Sequence, residues 1–247
     1  MIRVRAMSLS ARGKHAGQED HVHLDGVVSI MGTTRSPFSA AEQGLGYIYQ
    51  ARLALLKILG LPESTSVLIE KDDDLEFVTE AGAKSLTSLK HKAPGDTLTN
   101  LSTDFWKSVR IWLTPYLENG RIASDSRFFL LTTATVSNGS FLALFTEEVA
   151  DQDERAKAAQ EAIAKSQSQL IETIRNELTQ LSEDELRDFY ARVTIVDAEP
   201  RITDIPALID RHLRTIRRES RGALFERLEG WWMDLVYFLK ILFPTPS

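Results

Sequence analysis

Two short stretches carry the residue types that could do chemistry. The first is Ile69-Glu70-Lys71-Asp72-Asp73-Asp74-Leu75-Glu76-Phe77, and the second is Leu86-Thr87-Ser88-Leu89-Lys90-His91. An acidic cluster at a strand edge precedes a lysine on the next segment of alternating polarity. Metal-dependent phosphodiester hydrolysis needs that combination. Carboxylates hold a divalent cation, and an ammonium orients water or neutralises charge developing on phosphate. The acidic cluster offers the carboxylates and Lys90 the ammonium. One residue of register at a strand edge reverses faces, so the pattern does not choose between Asp73 and Asp74.

Elements that would position these groups follow from periodicity. Tyr47, Leu53, Leu55, Leu56, Ile58 and Leu59 space as a helix ended by Gly60 and Pro62. Strands are expected over 65–70, 75–79 and 85–91, the last two joined by a hairpin through Glu80 to Ala83. A helix over 103–117 has Phe105, Val109, Trp112 and Leu113 on its inner face, and 127–133 reads as a buried strand. The order is helix, three strands, helix, strand, an α/β (α+β) class followed by a mainly helical C-terminal region. The expected division is an arm over 1–38, a core domain over 39–140, a helical connector over 141–182 and a partner-docking region over 183–247. The connector is expected as one or two long helices, an exposed arm or a partner-facing element. The C-terminal region holds a strand over 192–197, a helix from Asp204 with Ile205, Ile209, Leu213 and Ile216 inward, and a last helix from near Gly222.

That element order, with Asp near the second strand and Lys on the third, resembles the core of the PD-(D/E)xK nuclease superfamily. The ordered set Gly46-Tyr47-Ile48-Tyr49-Gln50, Ile69-Glu70, Asp73-Asp74-Leu75, Leu89-Lys90-His91, Leu98-Thr99, Asp104-Phe105-Trp106-Lys107 and Leu130-Leu131-Thr132-Thr133 looks like the double-strand DNA endonuclease domain of anti-phage effectors. That domain occurs in CBASS effectors fused to a SAVED sensor and in Lamassu and other ABC-three-component systems. Val193 to Asp197 with Pro200, then Leu228-Glu229-Gly230-Trp231-Trp232, is similar to the region after the nuclease in the latter group. The resemblance implies a sequence-nonspecific, Mg²⁺- or Mn²⁺-dependent endonuclease held inactive by an SMC-like ATPase with a small accessory subunit, and active as a homo-oligomer on double-stranded DNA. It implies Asp73 or Asp74 and Glu70 as ligands, Lys90 as the catalytic lysine, Gln50 at the rim, and His91 and Lys92 on the phosphate backbone. Lys107 and Arg110 are expected to extend that DNA-facing surface.

The departure is Ser88, where the family has Gln or Glu. Water could bridge Ser88 to the metal; Glu70, Glu76 or Glu80 could supply the missing oxygen; or the site is weakened. The alternative to the enzyme is therefore a catalytically silent scaffold that keeps the nuclease fold.

Composition bounds the rest. No cysteine is present, so thiolate sites and Cys nucleophiles are excluded. No phosphate-binding loop appears, so ATP hydrolysis is not expected of this chain. With no secretory signal and no apolar run of about 20 residues, a cytoplasmic protein without a membrane partner is expected. The net charge of −6 argues against tight DNA binding by one copy, since Lys and Arg supply most phosphate affinity. His15, His21 and His23 are read as solvated residues of the arm. The run Trp231 to Phe243 is apolar on too many faces for exposure, so part of it is expected to dock a partner.

Overall fold

The computed structural model describes residues 37–62, 64–69, 74–146, 151–164 and 166–242. The first helix, α1 (Pro37–Gly60), leads into three strands, β1 (Ser66–Ile69), β2 (Leu75–Val78) and β3 (Lys84–Lys90). A two-residue strand β4 (Thr97–Leu98), helix α2 (Thr103–Glu118), strand β5 (Arg127–Thr132) and a second short strand β6 (Thr135–Val136) follow. Helices α3 (Gln152–Ala164), α4 (Gln169–Leu178) and α5 (Glu183–Ala191) come next. Strand β7 (Val193–Val196), helix α6 (Ile205–His212) and helix α7 (Arg218–Leu242) complete the order.

The main sheet runs β1-β2-β3-β5-β7. Its first three strands are antiparallel, whereas β3–β5 and β5–β7 are parallel. The hairpin between β2 and β3 closes with Thr79 N–H donating to Ala83 O at 3.1 Å, and Gly82 takes the left-handed φ of 85° that this turn requires. The class is α+β, and the order helix, three strands, helix, strand is present with β4 added.

Helices cover both faces of the sheet. On one face Leu86, Phe128, Leu130 and Ile195 pack against Trp112 of α2 and Phe189 of α5. Trp106 and Trp112 are fully buried. At about 25 cal/mol per Å² and about 200 Å² each, either contributes roughly 5 kcal/mol of transfer free energy. On the other face Leu75, Leu89 and Leu131 meet Leu53 of α1, Ile209 of α6 and Trp232 of α7.

Several expectations change here. Within 141–182, a 3₁₀ turn at Phe141–Phe145 precedes α3 and α4, and Ile163, Ile171, Ile174 and Leu178 are buried against the α2 face. These helices are a layer of the fold rather than an exposed arm, because their apolar stripe has sheet and α2 to cover. The strand expected over 192–197 extends the same sheet. Helix α6 stops at His212, so Ile216, expected inward, is 36% exposed. Helix α7 divides its tryptophans. Trp232 is buried, its indole N–H donating to Ala51 O at 2.7 Å, whereas Trp231 is 49% exposed. No helix among the described residues is long and apolar enough to cross a membrane.

Candidate active site

The period-2 alternation of β3 puts Leu86, Ser88 and Lys90 toward α2 and Thr87 and Leu89 toward α1. The β2–β3 register pairs Leu75 with Thr87, so Asp74, one residue earlier, stands across from Ser88 at the end of the hairpin opposite its turn. Asp74 Oδ2 accepts the Leu89 N–H at 2.6 Å and lies 3.5 Å from Lys90 Nζ. Gln50, from α1, donates its amide N–H to the Asp74 carbonyl oxygen. Three of the expected site residues, from α1, β2 and β3, thus converge. Glu70 and Asp73, the other two expected carboxylates, lie outside the described residues, as do the three arm histidines.

Ser88 is fully buried, and its surroundings explain why serine suits the position. Lys90 Nζ donates to Ser88 Oγ at 3.0 Å. Ser108, on the inner face of α2, lies 2.9 Å from Ser88 Oγ and 3.0 Å from Asp104 O. Ser108 donates to Ser88 Oγ, which also accepts from Lys90. The hydroxyl pair is a neutral cradle for the ammonium. Glu76 is also fully buried on this face but stands beside Lys84, 3.3 Å from its Nζ, further along β2 from Asp74. Glu80 is exposed in the hairpin turn, at the far end of β2. Neither supplies the oxygen that Ser88 withholds.

A cleft of about 390 Å³ opens beside Asp74, lined also by Gly46, Tyr47, Tyr49, Gln50, Leu89 and His91. His91 and Tyr49 pack ring against ring, 4.6 Å between centroids. Burial, with the Glu199 carboxylate nearby, pushes the Tyr49 phenol well above its usual range, so it stays protonated. Burial, with the Arg201 guanidinium nearby, pushes His91 below its ordinary value. At neutral pH this imidazole is uncharged and offers hydrogen bonding rather than a cation.

The other expected DNA-facing residues divide. Lys92 Nζ lies 2.9 Å from Asp104 Oδ2, a hydrogen bond that raises its pKa and keeps it charged but locally compensated. Arg110 Nε is 2.9 Å from Glu177. Lys107 is exposed on α2, three residues after Asp104.

Residues beyond the expected set brace the site. Lys92 N–H donates to Thr133 Oγ1 at 2.8 Å, and the Lys92 carbonyl accepts from Arg201 Nη2 at 2.6 Å. Glu199 is buried, its N–H on Thr132 O at 2.9 Å and its carboxylate 2.6 Å from Lys57 of α1. The segment after β7 thereby ties α1, β3 and β5 together behind Lys90. Ser108 had one sequence signal, a hydroxyl among Phe105, Val109 and Trp112 on a buried helix face; such a group needs a buried partner.

Among the described residues no group of three or more His, Asp or Glu side chains is arranged around a common point for a metal. The described donor set is one carboxylate, with one oxygen already on the Leu89 N–H. That suits Mg²⁺, which keeps several waters and takes one or two carboxylates plus substrate phosphates, more than a cation needing a full protein cage.

No family model matches the chain, and no curated protein matches it. Among solved structures the chain is similar to the Cap4 SAVED/CARF-domain containing receptor of Moraxella osloensis, with 18% identity over 76% of this chain and a TM-score of 0.43. It is also similar to the Acinetobacter baumannii Cap4 SAVED/CARF-domain containing receptor, with 12% identity over 76% of the chain and a TM-score of 0.42. The same receptor with the cyclic trinucleotide 2'3'3'-cAAA gives 11% identity over 77% and a TM-score of 0.44. The chain spans 40–42% of the length of these receptors. At this level the likeness assigns neither activity nor partner to this chain.

Proposed function

We propose that the chain is a metal-dependent DNA endonuclease whose reaction centre is the Asp74–Lys90 pair at the open end of the β2–β3 hairpin. The observation that carries this reading is the 3.5 Å approach of Lys90 Nζ to Asp74 Oδ2. A carboxylate and an ammonium that converge there meet the two demands of phosphodiester hydrolysis. Asp74 would hold a divalent cation, with Glu70 and Asp73 as the further ligands named by the sequence resemblance. When bound, that cation supplies Lewis-acid polarisation of a phosphoryl oxygen. Lys90, oriented by Ser88, orients water or meets the negative charge that grows on the phosphate. Gln50 fixes the Asp74 backbone, so α1 sets the carboxylate's position. The role as effector of an anti-phage complex, restrained by an SMC-like ATPase and activated by oligomerisation, rests on the sequence resemblance.

A second reading is favoured by one feature. Ser88 is buried and hydrogen-bonded on the protein side, so the position that carries an acidic or amide ligand in the family gives none here. A silent scaffold retains such a core without needing metal. Incubation with supercoiled plasmid separates the two. The nuclease reading expects Mg²⁺-dependent conversion to linear DNA, lost in Lys90→Ala with the fold intact. Wild-type protein that leaves plasmid uncut, alone and with its activated partners, supports the scaffold.

A further inference from the structure

The sequence carries an arginine-dense run that the active-site reading does not use: Asp210-Arg211-His212-Leu213-Arg214-Thr215-Ile216-Arg217-Arg218-Glu219-Ser220-Arg221. Five arginines stand against two acids, a local formal charge of +3 in a chain whose total is −6. The run forms the turn between α6 and α7. Arg221 is built into that turn, donating to Ile216 O at 2.9 Å and to Arg214 O at 2.8 Å, with Asp210 3.9 Å away. It fixes the loop. Arg211, Arg214, Arg217 and Arg218 are exposed, and their guanidinium groups have no carboxylate or hydrogen-bond partner among the described residues. Arg217 and Arg218 also sit at the start of α7, where the helix dipole is positive and cations are disfavoured. Glu219 is the acidic residue of that first turn, so Arg217 and Arg218 leave a net positive charge there that an external anion can meet.

We propose that this turn is a binding surface for the phosphate backbone of duplex nucleic acid. Three observations select that ligand. All five cations are arginine and none is lysine, the side chain whose planar fork matches phosphate oxygens two at a time. A membrane surface would need a continuous apolar face beside the charges, but α6 directs Ile205 and Ile209 into the core, and near the arginines Ile216 and Leu224 are only 36% and 37% exposed. The third observation is position, and this part rests on the proposed nuclease reading. His212 packs at the C-terminal end of α1, its Cε1 3.8 Å from where a Cβ on Gly60 would stand. Gln50, at the cleft, is ten residues earlier on the same helix, about 15 Å at 1.5 Å per residue. At 3.4 Å per phosphate along one strand, that span is about four phosphates. A duplex with a scissile phosphate at Asp74 and Lys90 could therefore rest its flanking backbone on the turn. The turn would supply the affinity that the acidic remainder of the chain opposes.

Duplex binding without cleavage tests this. A fluorescein-labelled duplex is titrated in EDTA by anisotropy, across salt from 50 to 200 mM, with full-length wild type and the fourfold variant Arg211→Gln, Arg214→Gln, Arg217→Gln, Arg218→Gln. At about 0.9 per neutralised phosphate, the slope of log affinity against log salt should shrink by about 3 to 4 in the variant. Its affinity at 50 mM salt should fall roughly tenfold or more. The fourfold Arg→Lys variant should keep most of the slope, which an unfolded or merely distorted protein would not. An unchanged slope in the Gln variant overturns the proposal. So does binding to phosphatidylserine vesicles that the Gln substitutions abolish while duplex binding persists. A wild type that shows the expected slope yet never cuts DNA in Mg²⁺ overturns the nuclease reading and leaves this surface standing.

Discussion

Asp74 has two separable jobs, and a pair of substitutions resolves them. Its Oδ2 accepts the Leu89 N–H at 2.6 Å, and the same oxygen stands 3.5 Å from Lys90 Nζ. Leu89 is 9% exposed, so deleting the carboxylate leaves a poorly hydrated N–H without an acceptor, at about 1–3 kcal/mol. The ion pair contributes less. The Asp74 and Lys90 side chains are 37% and 23% exposed, which places the pair near the solvent-screened range of about 0.2–1 kcal/mol. Asp74→Asn keeps a side-chain oxygen for Leu89 and loses only the charge, so it should be destabilised by about 1 kcal/mol or less. Asp74→Ala loses both and should be destabilised by about 1–4 kcal/mol, the sum of the two ranges. Urea unfolding followed by circular dichroism reads both, provided the m-value holds constant. Plasmid cleavage, measured in parallel, should vanish in both variants, because Asn neither holds a cation as a carboxylate does nor pairs with Lys90. Equal destabilisation of the two variants would refute the hydrogen-bonding role. Retained cleavage in Asp74→Asn would refute the catalytic one.

Trp232→Ala removes a buried indole and leaves Ala51 O without its donor, so it should cost about 3–5 kcal/mol. Trp231→Ala, at a half-exposed position of the same helix, should stay within about 1 kcal/mol; equal losses in chemical denaturation would contradict the assigned faces of α7. His91 is pushed down first by burial and then by Arg201, so the folded state binds fewer protons than the unfolded chain below the ordinary histidine value of about 6.5. Its contribution to stability is complete above that pH and is lost as pH falls toward the lower folded value. The stability decline between pH 7.5 and 5.5 should therefore be shallower in His91→Gln, and an identical decline would contradict the assignment.

What the sequence discloses follows the strength of each local signal. The run from Arg127 to Thr132 is a continuous apolar strand between helices, and Phe105, Val109 and Trp112 mark one face of α2; both elements are where periodicity puts them. Helix α5 had a start signal in Ser182 and Glu185, a capping box with both hydrogen bonds made, although it lies in a stretch read only as mainly helical. The two-residue ladder of β4 and β6 has no periodicity to detect. The acidic cluster and Lys90 stand out by residue type and spacing at strand ends, whereas Gln50 is named only by the family resemblance. The approach of Asp74 to Lys90 depends on the β2–β3 register, which the sequence pattern leaves open at this strand edge and the structure supplies. Arg201 and Glu199 act across distant sequence, Arg201 reaching Lys92 over 109 positions, and no local pattern carries such contacts. The arginine turn was hidden differently. Charge counted over the whole chain gives −6 and conceals a basic surface held by one short segment.

The central claim is that Asp74 and Lys90 form one reaction centre around a cation and a phosphate. Crystals of the chain grown with a short duplex and Mn²⁺ test it most directly, with data collected at the manganese absorption edge. An anomalous peak within about 2.0–2.3 Å of an Asp74 carboxylate oxygen, shared with a backbone phosphate that Lys90 Nζ approaches to about 3 Å, is the predicted result. Duplex bound with its phosphates remote from Lys90, or Mn²⁺ held elsewhere and absent from Asp74, would contradict it.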